Sequence, residues 1–387
     1  MKNFVNKSIW KTLVNSARPD FCEHILDMAL IHKWPIKKIS EPFVIEFPIP
    51  EGCDAEAKAA FALHQRTALQ AQYLVCIPNG VAAGGGFVRL PNGQFLTESA
   101  FRMEYLFGPL GADFYRARFR RHKLYLEGDC YNLSMLFAAN YGHWFYDELP
   151  RLASVLPHLP AGTKFIVSDP LQDFKLQSLA ALGISKDRLV PVKGYVETAC
   201  ERLWFATPLG NGEWTGTSPA ALHKIREALL KVYAGANGPT PDKIFVSRGA
   251  TSYKRLANEE QLLPVIEGFG FGVIRPEELS FPEQVRTFSR AKIILGAFGA
   301  GLTNILFSPQ PALLVELQDN KFAPRRWYWK LASLLGHHYC TIAGPVTGPQ
   351  HSEMADFTDT EFTIHPDSLK RFLESRLPLA DGKPDIR

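Results

Sequence analysis

The stretch KIFVSRGATSYKRLANEEQLLPVIEGFGFGVIRPEELSFPEQVRTFSRAKIILGAFGAGLTNILFSPQPALLVEL, residues 243–317, alternates between two periodicities. KIFVSR, GFGVIRP, KIILGAF and ALLVEL are short apolar runs with the length of buried strands. Between them NEEQLLPVIEGF, PEQVRTFSRA and GLTNILF carry apolar residues at helical spacing. In the first of these, Asn258 stands at the N-cap and Gln261 at the capping-box position. A strand–helix–strand series of this kind folds into a parallel, doubly wound sheet. The expected fold class is α/β.

Upstream, TPLGNGEWTGTSP (207–219) reads as a linker, and Ser218-Pro219 opens a helix running to about Tyr233. Before it, NYGHWFYDELPRLASVLPHL fits a helix, TKFIVSD a strand, LQSLAALGI a helix ended by Gly183, and DRLVPV a strand. From about 70 to 130, YLVCIP, GGFVRL, QFLTES and KLYLEGD suggest short strands separated by turns such as Pro91-Asn92-Gly93. The first 40 residues read as helix, with Val5, Ile9 and Leu13 on one stripe and Lys2, Lys7, Lys11 and Arg18 around it. Such a helix either rests on an anionic membrane surface or docks on its own core, and the second reading is favoured. The boundaries expected are 1–210 for an N-terminal α/β domain with a helical extension and 211–345 for a C-terminal Rossmann-like domain. The tail, 346–387, is expected to pack back on the N-terminal domain.

Composition limits the function classes. The chain has 387 residues, 46% of them hydrophobic and 21% charged. Its 43 Lys+Arg against 39 Asp+Glu leave a net charge of +4. That balance excludes a polybasic nucleic-acid arm and an acidic disordered chain, so no nucleic-acid partner is expected. No apolar run reaches the 18 or so residues of a spanning helix. The N-terminus lacks an apolar signal segment. Six cysteines lie far apart with no CxxC pair, as in reduced, buried thiols. A cytoplasmic protein is expected.

Candidate chemistry falls in two places. Gly296, Gly299 and Gly301 follow a strand, where glycines allow close backbone approach and the N–H groups of Leu302, Thr303 and Asn304 could hold a phosphate. Tight strand–helix packing explains the same glycines equally well. Arg248, Lys254 and Arg255 cluster after another strand, suited to holding a diphosphate or simply to a solvated basic loop. Glu316, ending LLVEL, could accept from ribose hydroxyls or serve as a structural cap. The second place is His143 and Asp147, at i and i+4 on one helix face. A carboxylate beside an imidazole can orient it or take a proton itself, although surface His–Asp pairs are the commoner case. The neighbouring aromatics, Trp144 among them, suit a cleft that stacks on sugar rings or a packed core. Metal ligation is not expected: there is no Asp-x-Asp, Asp359-x-Glu361 lies late in a loop-like stretch, and His337-His338 point apart. A serine hydrolase is disfavoured by the missing G-x-S-x-G elbow.

Together three segments resemble glycosyltransferase family 61. NYGHWFYDELPRL resembles that family's N-Y-x-H-W-x-x-[DE]-x-L-P-R-L signature, and SRGATSYKRLANEEQL its S-R-x(6)-R-x-x-N-E-x-x-L. AKIILGAFGAGLTNILFSP with the later VEL resembles its G-x-H-G-A-G-L-T-N-x-x-F and following Glu, and RRWYWKLASLLGHHY its aromatic helix. The resemblance spans roughly 75 to 342. It implies a GT-B-like fold, two Rossmann-like domains facing across a cleft, with metal-independent and inverting transfer from a nucleotide sugar. It implies no cofactor beyond that donor. By position it marks His143 and Asp147 as catalytic, and Trp144 and Arg151, with Phe298, as cleft residues. Arg248, Arg255 and Asn258, the run Gly299, Ala300, Gly301, Leu302, Thr303 and Asn304, and Glu316 are marked as the donor and diphosphate site. Phe298 departs from the family pattern, which has His there.

The expectation is a glycosyltransferase building capsule, exopolysaccharide or lipopolysaccharide. Its partners would be a nucleotide sugar and a glycan or lipid-linked glycan acceptor, with peripheral contact at the inner membrane. The competing readings are a non-catalytic nucleotide- or glycan-binding subunit of an assembly complex and another GT-B-like glycan-modifying transferase, such as a pyruvyl transferase. The sequence carries no signal for donor sugar, linkage or oligomeric state.

Overall fold

The computed structural model describes residues 20–50, 53, 55–83, 86–99, 123–134, 137, 139–210, 216–235, 240–249, 256–321, 324–347 and 361–377. The expected amphipathic helix over Val5–Leu13 lies outside them. The chain divides into two compact units, one formed by 1–43 with 68–221 and the other by 44–67 with 222–387.

The first unit is built on a mixed sheet, ten-stranded among the described residues. Five of its strands carry the argument: β1 (Gln72–Pro78), β2 (Lys123–Asn132), β3 (Lys164–Ser168), β4 (Leu189–Val192) and β5 (Glu197–Ala206). β5, β2, β3 and β4 run parallel in that order, and β1 joins β5 antiparallel. β1, β2, β3 and β4 are expected from the sequence; β5 is not. Its apolar alternation is broken by Glu197, Glu201 and Arg202, each of which has a structural partner: Arg89 for Glu197, the Gly128 N–H for Glu201 and Asp129 for Arg202. Ile36–Ser40, read as part of a helix, is a short strand on β1, while the neighbouring Ile25–His32 is helical. The core runs through Val75, Ile77, Cys130, Ile166, Cys200 and Leu203.

The second unit holds a five-stranded parallel sheet: β6 (Lys243–Val246), β7 (Gly272–Ile274), β8 (Ile293–Ala297), β9 (Leu313–Asp319) and β10 (His338–Gly344). Their order is β7-β6-β8-β9-β10. The chain therefore moves from β6 to one side and then crosses to the other, leaving a topological switch point between β6 and β8. The sequence reading supplies the first four strands, and β10 closes the sheet.

Two expected boundaries differ from the structure. Val44–Thr67 belongs to the second unit, where Phe47 and Phe61 lie against the buried Trp329 at 5.3 and 4.8 Å between ring centroids. The Trp329 Nε1–H donates to the Pro48 carbonyl at 2.8 Å. The tail does not return to the N-terminal domain as expected. Helix Pro366–Arg376 puts Leu369 and Leu373 into the second unit's own core, beside Phe245, Leu262 and Ile266. Alternating apolar positions show that a helix must bury a face, but not against which neighbour.

Candidate functional site

Residues 141–155 form one helical run with an irregular middle. Tyr141–His143 and Leu149–Val155 are α-helical, and Trp144–Glu148 between them is a π turn. Pro150 accounts for it. In a regular helix the Tyr146 carbonyl would accept from the residue 150 N–H, which proline lacks, and the ring would clash with that carbonyl. The helix opens by one residue instead: the Leu149 N–H donates to the Trp144 carbonyl, and Thr217 Oγ1 donates to the Tyr146 carbonyl at 2.7 Å. Such π turns are frequent at functional sites. Upstream, Asn140 caps the run by accepting from the Gly142 and His143 N–H groups.

The turn still brings His143 and Asp147 together, with Nδ1 2.7 Å from Oδ2. Their exposures differ: the His143 side chain is 18% exposed and the Asp147 side chain 2%. The imidazole is therefore the solvent-facing member, stacked on the Phe137 ring at 5.0 Å, and the carboxylate stands behind it. Trp144, expected in a cleft, is fully buried instead. Its Nε1–H donates to Ser178 Oγ at 2.9 Å and Lys175 Nζ lies 5.3 Å above the ring. One residue along a helix turns the side chain about 100°, so Trp144 faces the core when His143 faces out. Burial lowers the Lys175 ammonium to about 8.

Asp147 also lines a recess within the first unit, enclosing about 580 Å³ of space that includes open solvent. Glu148, Arg151 and Ser154 line it from the same helical run, Gln72, Glu98 and Ser99 from earlier segments, and Leu209 and Gly216–Ser218 from the later one. Arg151 Nη2 donates to Glu148 Oε1 at 2.7 Å. Burial pushes the Glu148 carboxyl above the usual carboxylate range, with Arg151 opposing it, and burial does the same to Glu98.

The second unit gathers the other motifs at its switch point. Arg248 follows β6, and Phe298 to Gly301 follow β8. Arg248 Nη1 donates to the Phe298 carbonyl at 2.8 Å. Its guanidinium lies so close over Gly299 that a Cβ there would stand 1.7 Å from Nη1. Space, not backbone conformation, requires that glycine. Ser247 Oγ donates to Glu259 Oε1, and the Arg248 N–H donates to Oε2 of the same carboxylate at 3.3 Å, so Glu259 fixes the turn that aims the arginine. From the far side Tyr328 Oη donates to the Gly299 carbonyl at 2.5 Å. The Phe298 ring, at the position of the family His, carries the Arg325 guanidinium 4.7 Å above it, and Arg325 is paired with Asp319 at 2.5 Å.

Several expected donor-site residues lie elsewhere or play structural parts. Arg255 lies outside the described residues. Ala300–Phe307 is a 3-10 helix, and the Leu302 N–H already donates to the Gly299 carbonyl. Leu302, Thr303 and Asn304 are buried, so the partly exposed part of this loop is Phe298, Ala300 and Gly301, around a Gly299 covered by Arg248, rather than the 302–304 amides. Asn304 is tied to Gln284 and to the Gly301 carbonyl. Asn258 stands at the N-cap of helix Glu259–Gly268, yet its side chain does not cap. It holds the Ile364 backbone through both N–H and carbonyl, at 3.1 and 2.8 Å. Glu316 does not end its strand, because β9 continues to Asp319; it is fully buried and accepts from Tyr339 Oη at 2.8 Å. The sequence assigned no role to Pro150, Thr217, Glu148, Arg325 or Tyr328, although each lies in one of the segments that carry the motifs or the linker, and it marked Glu259 only as matching the second family signature. Among the described residues, no group of His, Cys, Asp and Glu side chains stands arranged to hold a metal ion. No described helix is long and apolar enough to cross a membrane.

Comparison with known proteins falls on the same segments. The EGF domain-specific O-linked N-acetylglucosamine transferase of Gallus gallus is 30% identical over 151 residues, covering 36% of this chain and 26% of its own length. That of Mus musculus is 32% identical over 151 residues, covering 37% and 28%. The Drosophila melanogaster protein of the same name is 30% identical over 125 residues, covering 30% and 24%. The matches thus span about a quarter of each relative. Residues 141–315 match the profile described as Glycosyltransferase 61, a range that opens on the π-turn helix and closes in β9. That region, which holds both His143–Asp147 and the β6/β8 switch point, is the part of the chain that is similar to glycosyltransferase family 61.

Proposed function

We propose that this protein transfers a sugar from a nucleoside-diphosphate sugar to a hydroxyl of a glycan acceptor, by inversion and without a metal ion. The observation that carries the reading is the Arg248 guanidinium against Gly299 at the switch point of a doubly wound sheet, where such folds bind ligands. There it would stabilise the charge that develops as the bond from the anomeric carbon to the diphosphate oxygen breaks. In the first unit Asp147 holds His143 Nδ1, so Nε2 is the nitrogen that would take the acceptor proton as its oxygen attacks the anomeric carbon. His143 is then the base and Asp147 the residue that positions it. A GT-B arrangement, with acceptor held by the first unit and donor by the second, is part of the proposal, as is a role in surface polysaccharide synthesis at the cytoplasmic face of the membrane. The relatives' printed names favour a second acceptor class, a hydroxyl on a protein domain, and make a nucleotide-linked N-acetylglucosamine the first donor to try.

The test is a thermal-shift screen of nucleoside diphosphates on the whole chain, followed by donor turnover with glycan and protein acceptors. Protection by one nucleoside diphosphate, lost in Arg248→Ala, is the expected result. Binding without transfer or hydrolysis across many donors would instead support a non-catalytic binding subunit.

A further inference from the structure

We propose that the recess behind Asp147 is an acceptor subsite that takes a neutral or amine-bearing sugar and turns away acidic ones. This rests on the transferase reading for the word acceptor, but the selectivity follows from the recess alone. Among the described residues three carboxyl side chains line it, Asp147, Glu148 and Glu98, against one guanidinium, Arg151. That guanidinium is paired with one of the three, Arg151 Nη2 donating to Glu148 Oε1, while its Nε–H has no hydrogen-bond partner. The Glu148 side chain is 2% exposed, and its second oxygen, Oε2, has no hydrogen-bond partner in the wall that carries it. A buried carboxyl oxygen without a donor is costly, and a hydroxyl or ammonium group entering the recess would supply one. Ser154 Oγ, which donates to the Arg151 carbonyl, can still accept, and Ser218 Oγ, which accepts from the Ala221 N–H, can still donate, the pairing that sugar hydroxyls need.

The same inventory sets the charge of the occupant. Among the described residues a uronate or phosphate would meet three carboxyl groups and one guanidinium already paired through Nη2, and like charges brought together out of water repel. A metal ion does not fit either, because the described carboxyl, imidazole and thiol groups are nowhere arranged to share one. Asp147 belongs to both places, holding His143 and lining the recess. A sugar seated there would touch Asp147, the residue that holds the proposed base, rather than His143 itself.

The experiment is binding of three methyl glycosides to the whole chain without any donor, followed by saturation-transfer NMR and titration. Methyl glucoside, its 2-amino counterpart and methyl glucuronide share a ring and differ at one group. The first two should bind and the glucuronide should bind at least tenfold more weakly. Glu148→Gln, or Glu98→Gln if the first variant does not fold, should shrink that gap to threefold or less. Equal binding of all three, a gap unchanged in the variant that folds, or no binding by any of them would overturn the proposal. Nucleotide protection is read in parallel: its absence counts against the transferase reading while leaving the recess standing, and the converse holds for the glycosides.

Discussion

The two motif regions solve the problem of presenting polar groups in opposite ways. In the first unit the helix is bent out of regularity, and the proposed function falls to the side chains it carries, His143, Asp147, Glu148 and Arg151. In the second unit the proposed binding surface is the backbone between Phe298 and Gly301, and the side chains around it, Arg248, Tyr328 and Glu259, hold it or are held by it. A side-chain site tolerates neighbours of many shapes but not the loss of one functional group. A backbone site tolerates changed chemistry around it but not an added atom.

The largest expected effect lies on the side-chain region. His143→Ala should lower turnover by about 100-fold or more, the scale of a lost general base, with little change in nucleotide binding. Asp147→Asn should fall by less, because an amide oxygen can still hold Nδ1. An Asp147→Asn loss greater than that of His143→Ala, measured as kcat on a common donor, would return the base role to the carboxylate. Next comes the backbone region. Gly299→Ala places a methyl where the Arg248 guanidinium lies, so it should weaken nucleoside-diphosphate binding as much as Arg248→Ala does. Both losses should be about 1.5–3 kcal/mol by calorimetric titration, the scale of a hydrogen bond to a charged group. If Gly299→Ala binds normally, the backbone is not the binding surface.

The units should also answer acid with opposite signs. Burial drives His337 of the second unit down to about 3. Between pH 6.5 and that value the unfolded chain binds the extra proton, so this histidine costs the second unit about 1.4 kcal/mol per pH unit as pH falls. Burial raises the Glu148 carboxyl of the first unit. There the folded state holds the extra proton, so stability contributed by this group falls as pH rises from the ordinary glutamate value through the raised one. Hydrogen exchange followed from pH 7 to pH 4 should show protection lost in β8 and β9 before β2 and β3. His337→Gln should remove most of that difference, and its persistence would place the acid response elsewhere. The smallest effect separates structure from binding: Asn258→Ala should cost about 1 kcal/mol of stability in urea unfolding and leave nucleotide affinity unchanged.

The first four strands of the second unit's parallel sheet were legible because each carries a continuous apolar run and the helices between them are amphipathic, so the period changes at every boundary. β5 was not, since its charged residues are satisfied by partners far away in sequence, such as Arg89 for Glu197. His143 and Asp147 could be paired from spacing alone, because i and i+4 remain close even in a π turn. Which of the two faces solvent could not be read, nor could Trp144 be assigned to the core, since both depend on what the helix packs against. Glu316 looked like a strand end because LLVEL is followed by polar residues; Gln318 and Asp319 are buried and continue the strand paired with Ala343 and Gly344 of β10, their side chains bound to Thr341 and Arg325.

The excursion of Val44–Thr67 into the second unit bears on how the chain is made. Pro48 leaves the ribosome 281 residues ahead of the Trp329 indole that binds its carbonyl. Through that interval Phe47 and Phe61 have no finished surface to cover them, while most strands of the first unit's sheet are synthesised after them. A chain of this design exposes an aromatic pair for most of its own translation, which is the condition under which chaperones are recruited. It also fixes where the gene can be cut. A fragment beginning at Leu222 would carry every strand of the second sheet and still leave Trp329 facing water.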